Sequence, residues 1–183
     1  NLILVIFCIG VTFKYHYRFN IERKFHELNN VNFSDAVGAN KLSKKMIGLN
    51  WITPRIKNKK EAILEIEHLN DFKNILKKDK EKKMVLSNYS LFSVLLEENV
   101  SGYSRWYPGD NSAFPIEGNL YYKNFKNFIL TTLSKNKINS IFIFPDINED
   151  NLLNYIDAKC FKKQILDFQI IKYEINKNCP DLF

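Results

Sequence analysis

With 183 residues, 45% of them hydrophobic and 26% charged, the chain has the length and balance of one globular domain with a real core. Its net charge of +7 comes from lysines spread along the sequence, in a composition rich in Lys, Asn and Ile. No Arg-rich helix, RNA-binding aromatic motif or zinc-finger spacing accompanies that charge, which excludes a nucleic-acid-binding module.

The chain opens inside an apolar run, Asn1 to Phe13, NLILVIFCIGVTF. A bilayer-spanning helix needs about 20 such residues, so residues 1–13 read as the end of a truncated transmembrane helix, with a buried core helix as the alternative. A secretory signal fits less well, because no small-residue cleavage site follows. KYHYR follows instead, aromatic and basic like a membrane interface. From residue 14 to 30 the spacing predicts an amphipathic continuation of that helix, with Tyr17, Ile21, Phe25 and Leu28 on one face. His16 and His26 have no second ligand at metal spacing and read as surface histidines.

Residues 31–183 are expected to form a single soluble domain. Asn30 to Asn50 is a polar connector in which Ser34-Asp35 suits a helix cap. Asn50 to Thr53 reads as a short strand ended by Pro54. Lys57 to Lys60 is a basic turn. Glu61 to Lys78 is an amphipathic helix with Ile63, Ile66, Leu69, Phe72, Ile75 and Leu76 inward. Lys77 to Lys83 leads as a loop into a strand at Met84 to Leu86, and a short apolar helix follows Ser87-Asn88. After an irregular loop, Asn119 to Lys135 is helical, with Tyr121, Phe125, Phe128, Ile129 and Leu133 inward. Asn139 to Phe144 is a strand whose unbroken apolar run suggests burial on both faces. Asn148 caps a helix running to about Asp157, and Phe168 to Ile175 alternates like an edge strand. Strands separated by helices predict an α/β domain: a small, mainly parallel sheet of about four strands flanked by helices.

The strand-to-helix turn at Ser87 to Ser90 is where α/β proteins place ligands. It lacks the flanking glycines of a nucleophile elbow, so Asn88 and Tyr89 read as hydrogen-bonding groups at the sheet edge rather than as neighbours of a catalytic serine. None of the six glycines forms a phosphate loop, so no nucleotide or other cofactor is expected. Asp146, Glu149 and Asp150 suit a helix N-terminus, and no cluster suggests a metal. The loop RWYPGD holds the strongest binding candidates. Tyr103, Trp106 and Tyr107 offer flat faces to a sugar ring, Arg105 offers a bidentate clamp for phosphate or carboxylate, and Asp110 completes the set. The alternative is a loop pinned by Trp106 with Arg105 paired to a neighbouring acid. Cys160 and Cys179 flank the last strand and either form a staple in an oxidising compartment or remain buried thiols.

The apolar run leading into KYHYRFNIERKFHEL, then GLNWITP, MVLSNYSLFSVLLEE and RWYPGDNSAFP, resembles the C-terminal soluble region of bacterial multi-pass membrane proteins of the glycosyltransferase-like type that use lipid-linked sugars. The resemblance rests on motif order across nearly the whole chain. It implies a membrane protein whose catalytic acids lie in an early loop beyond this chain, so that this part has no catalytic residues of its own. It implies a periplasmic accessory domain that holds a glycan or lipid-linked sugar and partners the missing N-terminal membrane region, and it favours the Cys160–Cys179 bridge. Lys14, Arg18, Arg23 and Lys24 just beyond the apolar run favour the cytoplasmic side by the positive-inside rule. The competing function is a non-enzymatic interaction domain of a membrane protein.

Overall fold

The computed structural model describes residues 2–22, 28, 31–87, 91–102, 114–145, 147–176 and 179. It divides into two compact units, residues 1–67 and 68–183.

In the first unit, α1 runs Leu2–Tyr17 and a π-helical turn follows over Arg18–Glu22. The α-helix thus passes after Tyr17 into a wider helical turn, and residues 23–27, 29 and 30 of the expected continuation lie outside the described residues. Tyr17 is itself exposed, while Phe25 lies outside the described residues. A two-residue ladder joins β1, Val37–Gly38, to β2, Asn50–Trp51, in antiparallel register. Gly48, at φ +85°, makes the turn that brings the chain back.

The helix α2, Lys59–Lys78, is shared between the units. Its start is a reciprocal cap that the basic-turn reading overlooked. Asn58 Oδ1 accepts from the Glu61 N–H at 3.1 Å, and Glu61 Oε2 accepts from the Lys57 N–H at 2.8 Å. Further along, Glu65 accepts from Trp51 Nε1 at 2.9 Å and from the Thr53 hydroxyl at 3.1 Å.

The second unit is built on a four-stranded sheet ordered β3-β4-β6-β5. Its strands are β3, Lys83–Leu86; β4, Ser140–Ile143; β5, Phe161–Ile165; and β6, Ile171–Ile175. Only β3 and β4 are parallel. Both β4–β6 and β5–β6 pair antiparallel, so the sheet is mixed rather than mainly parallel. The reason is local. A five-residue connection between Ile165 and Ile171 is too short for the crossover that parallel strands need, and it folds β5 back on β6 as a hairpin. That hairpin also places β6 between β4 and β5, not at the edge where its alternation had put it.

Three short helices complete the unit: α3, Phe92–Leu96; α4, Tyr122–Lys135; and α5, Asp150–Leu153. One face of the sheet, with Met84, Leu86, Ile141, Ile143 and Tyr173, packs with Ile129 and Leu133 of α4, Leu152 of α5 and the buried Tyr155. The other face carries an aromatic cluster. The Phe72 ring lies 4.8 Å from Phe92 and 5.0 Å from Phe144, centroid to centroid.

Candidate functional site

The sequence places its candidate site at the carboxyl edge of β3 and on the loop that follows. Asn88, Tyr89, Tyr103, Arg105, Trp106, Tyr107 and Asp110 all lie outside the described residues. What the structure does define is the pair of anchors that hold the ends of that loop.

The first anchor is Ser101. It forms a parallel bridge with Met84 on the outer side of β3, its N–H donating to Lys83 O at 3.3 Å and its carbonyl accepting from Val85 N at 3.0 Å. The chain thus travels alongside β3, in the same direction, as it approaches residue 103. The second anchor is the segment Phe114-Pro115. Phe114 is buried, and its ring meets Phe125 of α4 edge-on at 6.3 Å. The Tyr155 hydroxyl donates to Pro115 O at 2.9 Å. Burial, with Tyr122 nearby as a lesser cause, pushes the Tyr155 pKa up to about 12, so the phenol stays a neutral donor. The chain thus reaches residue 102 beside the β3 edge and is described again from Phe114, on the α4 side of the core.

After β4, Glu149 is neither free nor poised for proton transfer. Lys163 Nζ of β5 donates to its Oε1 at 2.9 Å and the Tyr173 hydroxyl of β6 to its Oε2 at 2.7 Å. Those two bonds, Lys163 first, hold the Glu149 carboxyl below its ordinary pKa, against a smaller opposing effect of burial. Burial and the bond to Glu149 raise the Tyr173 phenol. Glu149 thus ties the start of α5 to the β5–β6 hairpin. Asn148 Oδ1 accepts from Asp150 N at 3.0 Å, as expected of a cap, although α5 stops at Leu153. Asp146 lies outside the described residues.

At the amino end of β3 and β4 sits a polar cluster that the sequence reading missed, because Lys83 looked like part of a solvated basic run. Lys83 is instead the first residue of β3 and is 4% exposed. Its ammonium donates to the carbonyls of Leu76 at 2.9 Å and Asp79 at 2.7 Å, the free carbonyls at the end of α2, and to Glu98 at 3.0 Å. Asp79 pairs with Lys172 of β6 at 2.9 Å. The signal was available in the strand period: Lys83 and Val85 must share a face, and so must Lys172 and Glu174. Every cation in this cluster has a partner within the fold, so it works as a structural tie.

Cys160 and Cys179 are bonded to each other, with Cα atoms 5.3 Å apart, and both are buried in the core. The third cysteine, Cys8, is free and exposed on α1. Among the described residues no group of three or more His, Cys, Asp or Glu could hold a metal ion. His16 Nδ1 lies 3.1 Å from Asn20 Nδ2, and His26 is outside the described residues.

The stretch Leu2–Asn20 is helical over 19 residues, apolar and without a single buried position. Leu2, Ile3, Leu4, Ile6, Phe7, Ile9 and Phe13 are all exposed. At ~1.5 Å per residue its length is about 28 Å, close to the hydrocarbon thickness of a bilayer. Phe13 stacks on Tyr17 and Tyr15 on Phe19 at the end where charges appear. By length and composition this helix can cross a membrane.

No protein-family model, curated protein or solved structure matches the chain.

Proposed function

We propose that the chain is the extracytoplasmic accessory domain of a membrane protein of the glycosyltransferase-like type, held at the bilayer by α1 and receiving a glycan or lipid-linked sugar on the Tyr103–Asp110 loop. The observation that carries the reading is the Leu2–Asn20 helix. An apolar helix with no buried residue exposes a surface that water does not tolerate and a bilayer does. The Cys160–Cys179 bond supports an oxidising compartment, hence the periplasmic side, against the basic residues Lys14 and Arg18 that favour the cytoplasm. The sugar-binding part rests on the residue types of the loop, whose two ends are fixed at Ser101 and Pro115. The domain brings no catalytic residues of its own; those belong to the membrane region of the parent protein.

A thiol count on membrane-extracted protein, unfolded with and without reductant, tests the compartment. The expected result is one reactive thiol, Cys8, before reduction and three after. Three before reduction would overturn the periplasmic reading. For the ligand, Trp106→Ala and Arg105→Gln should each weaken binding of a polyprenyl-phosphate-linked sugar by the full-length protein. Unchanged binding, or loss of the fold with Trp106→Ala, would overturn the ligand role.

A further inference from the structure

The loop that joins β1 to β2 carries an exposed apolar tip that the core of its unit does not use. Ala39 and Leu42, both buried, fill the inner side of the loop. The Ala39 N–H donates to Leu49 O at 2.9 Å and closes the loop at its base. A 3-10 turn over Lys44–Met46 leads outward, with the Ile47 N–H donating to Lys44 O at 3.3 Å. Ile47, at φ −58° and ψ 133°, and Gly48, at φ +85°, are the two central residues of a type II turn. The Leu49 N–H closes that turn on Met46 O at 3.1 Å. The result is a tip built by its own backbone, with Ile47 73% and Leu49 60% exposed.

The charges that flank this tip have one sign. From Ala36 to Lys60 the chain carries seven basic residues and no Asp or Glu. Lys44 and Ile47 stand three residues apart across the 3-10 turn, where side chains at i and i+3 eclipse, so the two share one face. Lys45 is exposed at the next position. Among the described side chains of this unit the carboxylates lie elsewhere. Asp35 precedes the ladder, at the end away from the tip. Glu61 accepts from Lys57 N and Asn58, and Glu65 from Trp51 and Thr53. Glu67 stands on α2. Aliphatic side chains one turn from lysines suit a membrane surface: the apolar groups enter the boundary between headgroups and acyl chains while the ammonium groups stay at the phosphates.

Resting on the reading of α1 as a membrane anchor, we infer that the tip Ile47 and Leu49, flanked by Lys44 and Lys45, docks on the surface of an anionic phospholipid bilayer as a second membrane contact. The tip belongs to the same compact unit as α1, and Ile47 follows Asn20 by 27 residues. Two apolar side chains give too little area for firm binding from solution. A loop tied to the bilayer through its own chain meets the surface at high effective concentration, so a weak contact is enough. Charge selects phospholipid over a second copy of the chain, since two tips face to face would set Lys44 and Lys45 against the same residues. Two points of attachment, α1 and the tip, would set the orientation of this unit to the bilayer.

The test uses the full chain in vesicles of phosphatidylcholine with and without phosphatidylglycerol, carrying one dye at a time. The dye sits on native Cys8, on Asn50→Cys or on Ser34→Cys, the last two in a Cys8→Ala background. Asn50 is exposed next to the tip, so Ile47 and Leu49 stay in place. Ser34 is exposed in the same unit, closer to α1 along the chain, and serves as the reference. Lipids with a quencher at the headgroup should quench the Asn50 dye well beyond the Ser34 dye, and phosphatidylglycerol should strengthen this. Lys44→Gln and Lys45→Gln should each lower the docking constant roughly fivefold. An Asn50 dye no more quenched than the Ser34 dye, with Cys8 quenched by acyl-chain quenchers, overturns docking and leaves the anchor intact. An unquenched Cys8 overturns the anchor and docking with it. Equal quenching at Asn50 with and without phosphatidylglycerol overturns the choice of an anionic surface. Self-quenching between Asn50 dyes on different copies would make the tip a self-association face and also overturn the inference.

Discussion

The Lys172 ammonium lies 2.9 Å from the Asp79 carboxylate, and both side chains are largely withdrawn from water, at 18% and 8% exposed. The pair joins β6 to the end of α2, and Lys172 Nζ also stands 5.7 Å from the centre of the Phe142 ring. Removing one partner leaves the other charge poorly solvated and unpaired. Asp79→Ala is expected to cost about 3 kcal/mol by chemical denaturation, whereas Asp79→Leu combined with Lys172→Met should cost less than either single change. Burial lowers the Lys172 pKa, but the bonds to Asp79 and Glu174 outweigh it and leave the group raised. Its stabilisation should therefore be complete below the free lysine value of about 10.4 and fade as pH rises through the folded value. Lys172→Met should flatten that alkaline loss.

Glu149 gives the opposite dependence. Its carboxyl is held low by Lys163 and Tyr173, so its contribution is present above the free glutamate value of about 4.3 and lost as pH falls through the folded value. Glu149→Gln should leave an acid-denaturation midpoint shallower in pH dependence than that of the unaltered chain. An unchanged acid limb would mean that the carboxylate does not tie the hairpin to α5.

Tyr155→Phe removes one hydroxyl and leaves Pro115 O without its donor. The expected cost is about 1–2 kcal/mol. Because the folded phenol is raised to about 12, the Tyr155 contribution should fade between the free tyrosine value of about 10 and that folded value as pH rises. Ultraviolet titration of the folded protein should lose one late-ionising tyrosine in the variant.

Phe72 is fully buried and touches the rings of Phe92, Phe142 and Phe144. Phe72→Ala should cost about 3–5 kcal/mol, and Phe72→Leu much less, because the cavity is smaller. Equal costs for the two would indicate that the face collapses around the missing ring.

Where side-chain periodicity is strong, the elements follow from it. The stripe Ile66, Leu69, Phe72 and Leu76 and the run from Ser140 to Ile143 announce α2 and β4 on their own. What fails is what depends on pairing across the fold. β5, FKKQI, carries two lysines and reads as polar connector until β6 is seen beside it. The direction of β6 is set by the short link from Ile165 to Ile171, not by its alternation. Lys83 sits in a run of lysines whose neighbours are solvated, and only the free carbonyls at the end of α2 explain its burial. For the candidate loop, the proposal of sugar and phosphate recognition rests on residue types alone, and the fold adds only the fixing of the described residues at its two ends.

The position of β5 has a consequence for the chain as one molecule among many. Among the described residues it pairs with β6 alone, so toward them its other side offers open N–H and C=O groups. A strand of that kind invites edge-to-edge polymerisation. One of the lysines that made β5 hard to recognise discourages it. Lys163 is held by Glu149, but Lys162 is exposed and would face its own copy in a parallel, in-register union, so removing it is the change that would make this border more prone to seed fibrils.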